Sequence, residues 1–355
     1  MNEERSMFVE SVARMLRDHA TQKALEAAKA GGWSEPVWRV LAEAGVPLLG
    51  VPEASGGAGG TVADAAAILR VAGANAAPVP LAETMLAGWL LSASGLPVPA
   101  GPLTVGPVRR GDALTLARSG GGWTLSGTAK RVPFAACAAR LVVIASDGTR
   151  DHVALVEPQA CRIAAGSNLA YDARNTVEFP GVALRADEVV PAGPGVSFEA
   201  LYLRGAVARA VQMTGALDRC LELSIGHAKT RIQFGRPIAK FQAIQQEIAR
   251  LGGEVAASAA AALSAASAVD AGEAGADAMA SAKIRCGEAA LAGAAIAHQV
   301  HGAIGVTQEY VLHFATLRLA AWRSEFGSEA EWAGWLGRRV RARGADAFWP
   351  ALTAS

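Results

Sequence analysis

A chain of 355 residues with 33 Lys and Arg against 32 Asp and Glu has a formal net charge of +1, and it is 52% hydrophobic and 18% charged. That balance excludes intrinsic disorder, which needs low hydrophobicity and high net charge, and it leaves no basic surplus for a dedicated nucleic-acid binder. At roughly 100–200 residues per domain, the length predicts two or three domains.

The four cysteines, Cys137, Cys161, Cys220 and Cys286, show no C-x-x-C spacing, which predicts reduced thiols in a cytoplasmic protein. The N-terminal stretch MNEERSMFVESVARML lacks the apolar core of a signal peptide. Val255 to Val269, a run of Ala and Ser, falls short of the roughly 20 apolar residues of a membrane span, so no membrane is expected. No His, Cys, Asp or Glu spacing suggests a metal site; His298, His301 and His313 are expected in surface or capping roles.

Taken in chain order, residues 1–100 read as a helical domain. Met7, Val9, Val12, Met15 and Leu16 recur at three- and four-residue spacings. Ser34 is a good N-cap with Pro36 in the first turn. Gly45 to Gly60 is a Gly/Pro loop, and Ala-rich helix follows from Thr61, breaks near Pro78 and Pro80, and resumes over Leu81 to Leu91. Residues 101–192 change to short β-branched runs at Ala113–Leu116, Gly122–Leu125, Leu141–Ile144, His152–Val156 and Thr176–Phe179, a small β-barrel-like domain with hairpins near Ser119–Gly122 and Ser146–Gly148. Residues 193–355 return to at least four long helices. Phe241, Ile244, Ile248 and Leu251 form one amphipathic face, and the small residues of Val255 to Ala297 suit a tightly packed bundle or a subunit contact. The fold class is therefore multidomain α+β, helical, then β, then helical.

One block carries more. Arg231-Ile-Gln-Phe-Gly-Arg-Pro-Ile238, with Phe241, Gln242 and Gln245, puts an Arg fork and an aromatic face beside a helix break. Its order resembles the acyl-CoA dehydrogenase signature R-x-Q-F-G-x-P-I-x-x-F-Q-x-x-Q. Gln299-Val-His-Gly-Ala-Ile-Gly-Val-Thr-Gln-Glu-Tyr310 is similar to the family's Q-x-x-G-G-x-G-x-x-x-E-Y block, with Ala303 in place of the second glycine. Val51 to Gly60 is similar to its P-E-x-x-G-G-x-G loop, and Gly121 to Lys130 to its G-W-x-L-x-G-x-K segment.

The resemblance implies an N-terminal helical domain, a central β domain and a C-terminal four-helix bundle. It also implies FAD held between subunits, oxidation of an acyl-CoA thioester at Cα–Cβ, and electron-transfer flavoprotein as acceptor. Carried over, Arg231, Gln233, Phe234, Gln299 and Gly302 would serve the adenosine-diphosphate end of a neighbour's FAD. The chemistry also needs a carboxylate base for the α-proton. The family's two base positions fall here on Phe326 and Gly205, neither an acid, and Glu325 is one residue from the first. The T-E-P-x-x-G-S-D segment has no counterpart, and the W-I-T segment becomes Arg131-Val-Pro-Phe-Ala135. The half-site given to a neighbour is kept and the chain's own half is eroded. That asymmetry resembles the base-lacking partner in two-subunit acyl-CoA dehydrogenases, such as those of bacterial steroid side-chain degradation. Two other readings stay open at this point: a self-sufficient homo-oligomer with Glu325 as base, and a flavin-free acyl-CoA-binding scaffold.

Overall fold

The computed structural model describes residues 3–353. Five helices come first: α1 (Glu3–His19), α2 (Gln22–Gly31), α3 (Glu35–Glu43), α4 (Val62–Ala74) and α5 (Leu81–Ala93). Side chains that the sequence marks as caps set their starts. Ser34 accepts from the Val37 N–H at the head of α3, and Thr61 with Asp64 closes a reciprocal capping box on α4. The Gly45–Gly60 segment is a loop holding two short 3₁₀ turns.

Eight strands follow: β1 (Leu103–Gly106), β2 (Leu114–Ser119), β3 (Gly122–Pro133), β4 (Arg140–Ser146), β5 (Asp151–Val156), β6 (Arg162–Ala164), β7 (Arg174–Leu184) and β8 (Val189–Pro191). They form one mixed sheet in the order β6-β7-β3-β2-β4-β5-β8, with β1 pairing parallel to β4 off that path. Both expected hairpins are present, β2–β3 closing at Ser119 and Gly122 and β4–β5 at Ser146 and Asp151. The strand read at Gly122–Leu125 runs on to Pro133, because two register shifts against β7 bend it without ending it. The sheet buries its own core, including Leu125, Leu141, Val177 and Phe179.

The remaining chain is α6 (Phe198–Thr230), the two-stranded hairpin β9 (Ile232–Gln233) and β10 (Arg236–Pro237), then α7 (Gln242–Ala268), α8 (Ala276–His301), α9 (Leu312–Trp322), α10 (Glu329–Arg343) and α11 (Phe348–Thr353). Helices α6, α7, α8 and α9 pack as a bundle. α7 begins well before the Val255–Val269 run and ends at Ala268, and by length and composition alone the helical stretch from Gln242 to Val306 is long and apolar enough to cross a membrane. Here it packs against α8 and α6, burying Leu251, Val255, Ala262 and Ala265.

One core cluster joins the first helices to this bundle. α4 lies against α6 so closely that a Cβ on Gly73 would collide with the Gln212 carbonyl, and one on Gly215 with the Arg70 carbonyl. α6 is thus the central strut. The N-terminal helices α4 and α5 and the helices α7, α8 and α9 pack on it, and the α9–α10 turn meets it at Gly205.

Candidate functional site

The two positions at which the resemblance would place a base face each other. Gly205 lies in mid-α6, and Phe326 lies in the turn between α9 and α10 with a backbone φ of 52°. A Cβ added to Gly205 would fall inside the Phe326 ring, so the missing side chain of one residue makes room for the other. The turn is held firmly. Lys283, fully buried on α8, donates from Nζ to the carbonyls of Arg323 and Gly327, each at 2.7 Å, and Trp332 Nε1 donates to the Phe326 carbonyl at 2.8 Å. Burial pushes the Lys283 ammonium down to about 8.

Glu325, the sequence candidate for a base, is engaged otherwise, and that expectation is corrected by its surroundings. Both of its oxygens accept from the Arg174 fork, at 2.8 and 2.9 Å, while Arg209 Nε donates at 2.7 Å and Asn168 Nδ2 at 3.0 Å. Arg209 in turn pairs with Glu83 and donates to Gln212 Oε1 at 2.6 Å. Arg174, Arg209, Glu83 and Glu325 are all buried, two cations against two anions. Burial alone would raise the Glu325 pKa, but Arg174 and Arg209 overcome it and hold the carboxyl well below the usual carboxylate range. A carboxylate so neutralised has little affinity for a substrate proton. It ties β7, α6 and the α9–α10 turn into one junction, and Glu83 brings α5 into it.

Beside this junction a cavity of about 290 Å³ opens between the 108–110 segment, Arg131 of β3, Tyr202 and Phe326. Arg110 closes one wall. Its fork meets Glu199 at 2.6 and 2.7 Å, its Nε meets Glu331 at 2.9 Å, and its plane lies 4.6 Å from the Tyr202 ring. Arg131 stands at a strand irregularity with a φ of 57°. The resemblance would place the Arg131–Ala135 segment next to an isoalloxazine ring, and the cavity there is walled by Arg131, by Arg110 already paired with Glu199 and Glu331, and by the Phe326 ring. They do not fit a flavin ring bound by this chain.

The second group fits better. Arg231 caps the C-terminus of α6, its N–H donating to the His227 carbonyl at 2.8 Å, and the chain then turns through β9 and β10. Phe234 sits at the tip of that hairpin with a φ of 50°, 91% exposed, 6.1 Å edge-on from Phe241. Arg231 and Gln233 are exposed on the same hairpin, and among the described residues Arg231 has no ion pair. Gln299 is exposed in the last turn of α8, and Gly302 ends that helix with a φ of 63° and open space where a Cβ would point. The ends of α6 and α8 meet through His227 and His301, stacked at 4.6 Å, with Tyr310 beyond. Exposed donors, an open glycine backbone and a free aromatic face suit a nucleotide diphosphate approaching from outside the chain.

The junction residues Glu83, Asn168, Arg174 and Arg209 escaped the sequence reading. A signal was available for two of them, since Glu83 and Arg209 are single charges inside the apolar runs Leu81–Leu91 and Ala206–Val211. Trp322 and Trp332 are buried in the core.

The chain matches the descriptions "Acyl-CoA dehydrogenase, N-terminal domain" over residues 2–97 and "Acyl-CoA dehydrogenase, C-terminal domain" over residues 198–330. The acyl-CoA dehydrogenase IpdE2 of Mycobacterium tuberculosis is 33% identical over 316 residues, covering 88% of this chain and 89% of that protein. A solved Tcur3481-Tcur3483 steroid ACAD variant is 27% identical, with a TM-score of 0.85 over 95% of this chain and 97% of its own. The ChsE4-ChsE5 complex of Mycobacterium tuberculosis, at 24% identity, shares the fold with a TM-score of 0.86 over 97% and 99% of the two chains.

Proposed function

Because this chain belongs to the acyl-CoA dehydrogenase family, we propose that it is the base-lacking subunit of a two-chain, cytoplasmic acyl-CoA dehydrogenase and that it completes the FAD site of its partner. The assembly would convert an acyl-CoA thioester to the trans-2-enoyl-CoA, passing electrons to electron-transfer flavoprotein. The partner would supply the carboxylate that takes the α-proton. FAD bound there would supply the acceptor for the hydride of the β-carbon.

This chain's part is to bind and orient. Arg231 and Gln233 would donate to the diphosphate, Phe234 would lie on the adenine side, and Gln299 with the bare Gly302 backbone would close the far wall. The observation that carries the reading is the Phe326 ring lodged in the space of Gly205. A carboxylate at either position would displace packed apolar surface, and the nearest acid, Glu325, is neutralised by two guanidiniums. The steroid ACAD relative and the ChsE4-ChsE5 complex support a two-chain assembly acting on a bulky acyl group.

Expression alone and together with an acyl-CoA dehydrogenase chain carrying the missing base tests this. The expected result is a colourless isolated chain and a yellow complex that turns over acyl-CoA with a dye acceptor. Stoichiometric flavin and turnover in the isolated chain would overturn it. A complex that forms without flavin would leave the scaffold reading in its place.

A further inference from the structure

The half-open chamber lined mainly by α4, α5, α6 and α7 lies outside everything assigned above. It measures about 160 Å³, and its wall is aliphatic, with Val62, Leu69, Met85, Leu86, Val207 and Val211 separated by five alanines. One cation stands at its rim. Arg204 borders both this chamber and a neighbouring cleft of about 340 Å³, and the two spaces also share Trp89, Val269 and Asp270.

Arg204 differs from the arginines at the junction. Arg110, Arg174 and Arg209 each donate at least two short hydrogen bonds to carboxylates. The Arg204 guanidinium lies 4.2 Å over the Trp89 ring, makes one long hydrogen bond of 3.5 Å to the Val269 carbonyl, and stands 3.8 Å from the exposed carboxylate of Asp270. Its side chain is only 20% exposed. A guanidinium offers five N–H donors, and withdrawing it from water with those donors unfilled is unfavourable. Burial lowers its pKa, with Asp270 only partly opposing. An under-satisfied, largely buried guanidinium over an apolar hollow is the complement of an amphipathic anion.

We propose that this chamber binds a small aromatic or alicyclic monocarboxylate, its ring in the aliphatic space and its carboxylate on the Arg204 fork. The size follows from the volume, since an apolar cavity of roughly 150 Å³ accommodates benzene. The charge follows from the one cation among the lining residues, which is only weakly paired and whose planar fork matches a carboxylate bidentately. Neighbouring residues on a helix point about 100° apart, so the Arg204 side of α6 is distinct from the Gly205 side covered by Phe326. The site is therefore separate from the eroded cavity and stands whether or not the chain is a base-lacking subunit.

Calorimetric titration of the full chain with phenylacetate and with cyclohexanecarboxylate tests it, with phenylacetamide as the neutral control. One saturable site is expected for each acid, and at least tenfold weaker binding for the amide. Arg204→Met should weaken the acids at least tenfold. Ala208→Leu, which keeps the cation and fills the hollow, should abolish binding, and Ala66→Leu on α4 is the equivalent variant if Ala208→Leu does not fold. Circular dichroism melting establishes that each variant is folded. No saturation by either acid up to about 10 mM, or unchanged binding in folded Arg204→Met or in a folded filling variant, would overturn the proposal.

Discussion

Where α5, β7, α6 and the α9–α10 turn meet, every charge finds its counter-charge inside the chain. At the β9–β10 hairpin and the end of α8, donors and an aromatic ring face outward with nothing of this chain to bind. The first region is closed: Glu83, Arg209, Glu325 and Arg174 alternate in sign and are buried, and Phe326 fills the hollow left by Gly205. The second is open: Arg231, Gln233, Phe234, Gln299 and Gly302 are exposed. A buried polar junction holds domains together when fully paired and is costly when half paired. An exposed, unpaired recognition surface contributes little to folding and is kept for what it meets. Under the proposed function, the first region serves architecture and the second meets the partner's cofactor.

The largest expected effect breaks the closed region. Arg209→Met leaves Glu83 and Glu325 buried without their shared partner, and should cost about 3–5 kcal/mol in denaturant unfolding. The pH dependence sharpens the point. Glu325 has a folded pKa depressed by Arg174 and Arg209. Its stabilising contribution is therefore present above the unfolded value of about 4.3 and is lost as pH falls through the folded value. With Arg209 gone the folded pKa moves up toward the unfolded value, so the acid-side loss of stability should be smaller and should end at a higher pH than in the parent chain. Identical acid-side profiles would show that Arg209 does not hold the carboxylate ionised.

Next in size is the packing of Phe326 against α6. Gly205→Ala should cost about 1–3 kcal/mol by overpacking the ring, and much less in a Phe326→Ala background. A double-mutant cycle checks this, and additive costs would separate the two positions.

The open region should behave in the opposite way. Arg231→Met is expected to change the stability of the isolated chain by no more than about 0.5 kcal/mol. In the two-chain complex the same change should weaken FAD retention roughly ten- to a hundredfold, the scale of a charge-assisted hydrogen bond of about 1.5–3 kcal/mol. Flavin fluorescence after dilution measures it. The smallest effect belongs to Phe234→Gly, where glycine suits the left-handed backbone at φ 50°. Stability of the isolated chain should stay the same or rise slightly while the complex loses flavin.

The open region was the legible one. Its residues lie close together in sequence, on a helix break that Gly235 and Pro237 announce, so the order of side chains carried the meaning. The three-part course of the chain was equally visible, through Ser34 and Thr61 as caps and the glycine turns at 119–122 and 146–148. The strands β1, β6 and β8 were not. They span three or four residues each, and β1 is buried throughout in a parallel pairing, which leaves no alternation to read. Nor did the short shift from Phe326 to Glu325 reveal what Glu325 does, because its partners come from residues 168, 174 and 209, far away in the chain.

By itself the sequence determined the family, the succession of helix, sheet and helix, and the absence of an acid at both base positions. Local order suffices there, since periodicity, caps and contiguous motifs are written along the chain. Only the tertiary structure decided that those two positions are neighbours, that one fills the other, and that Glu325 is a paired structural anion. Those facts depend on contacts between segments more than a hundred residues apart, and Glu325, bonded to Asn168, Arg174 and Arg209, joins the segments at α6.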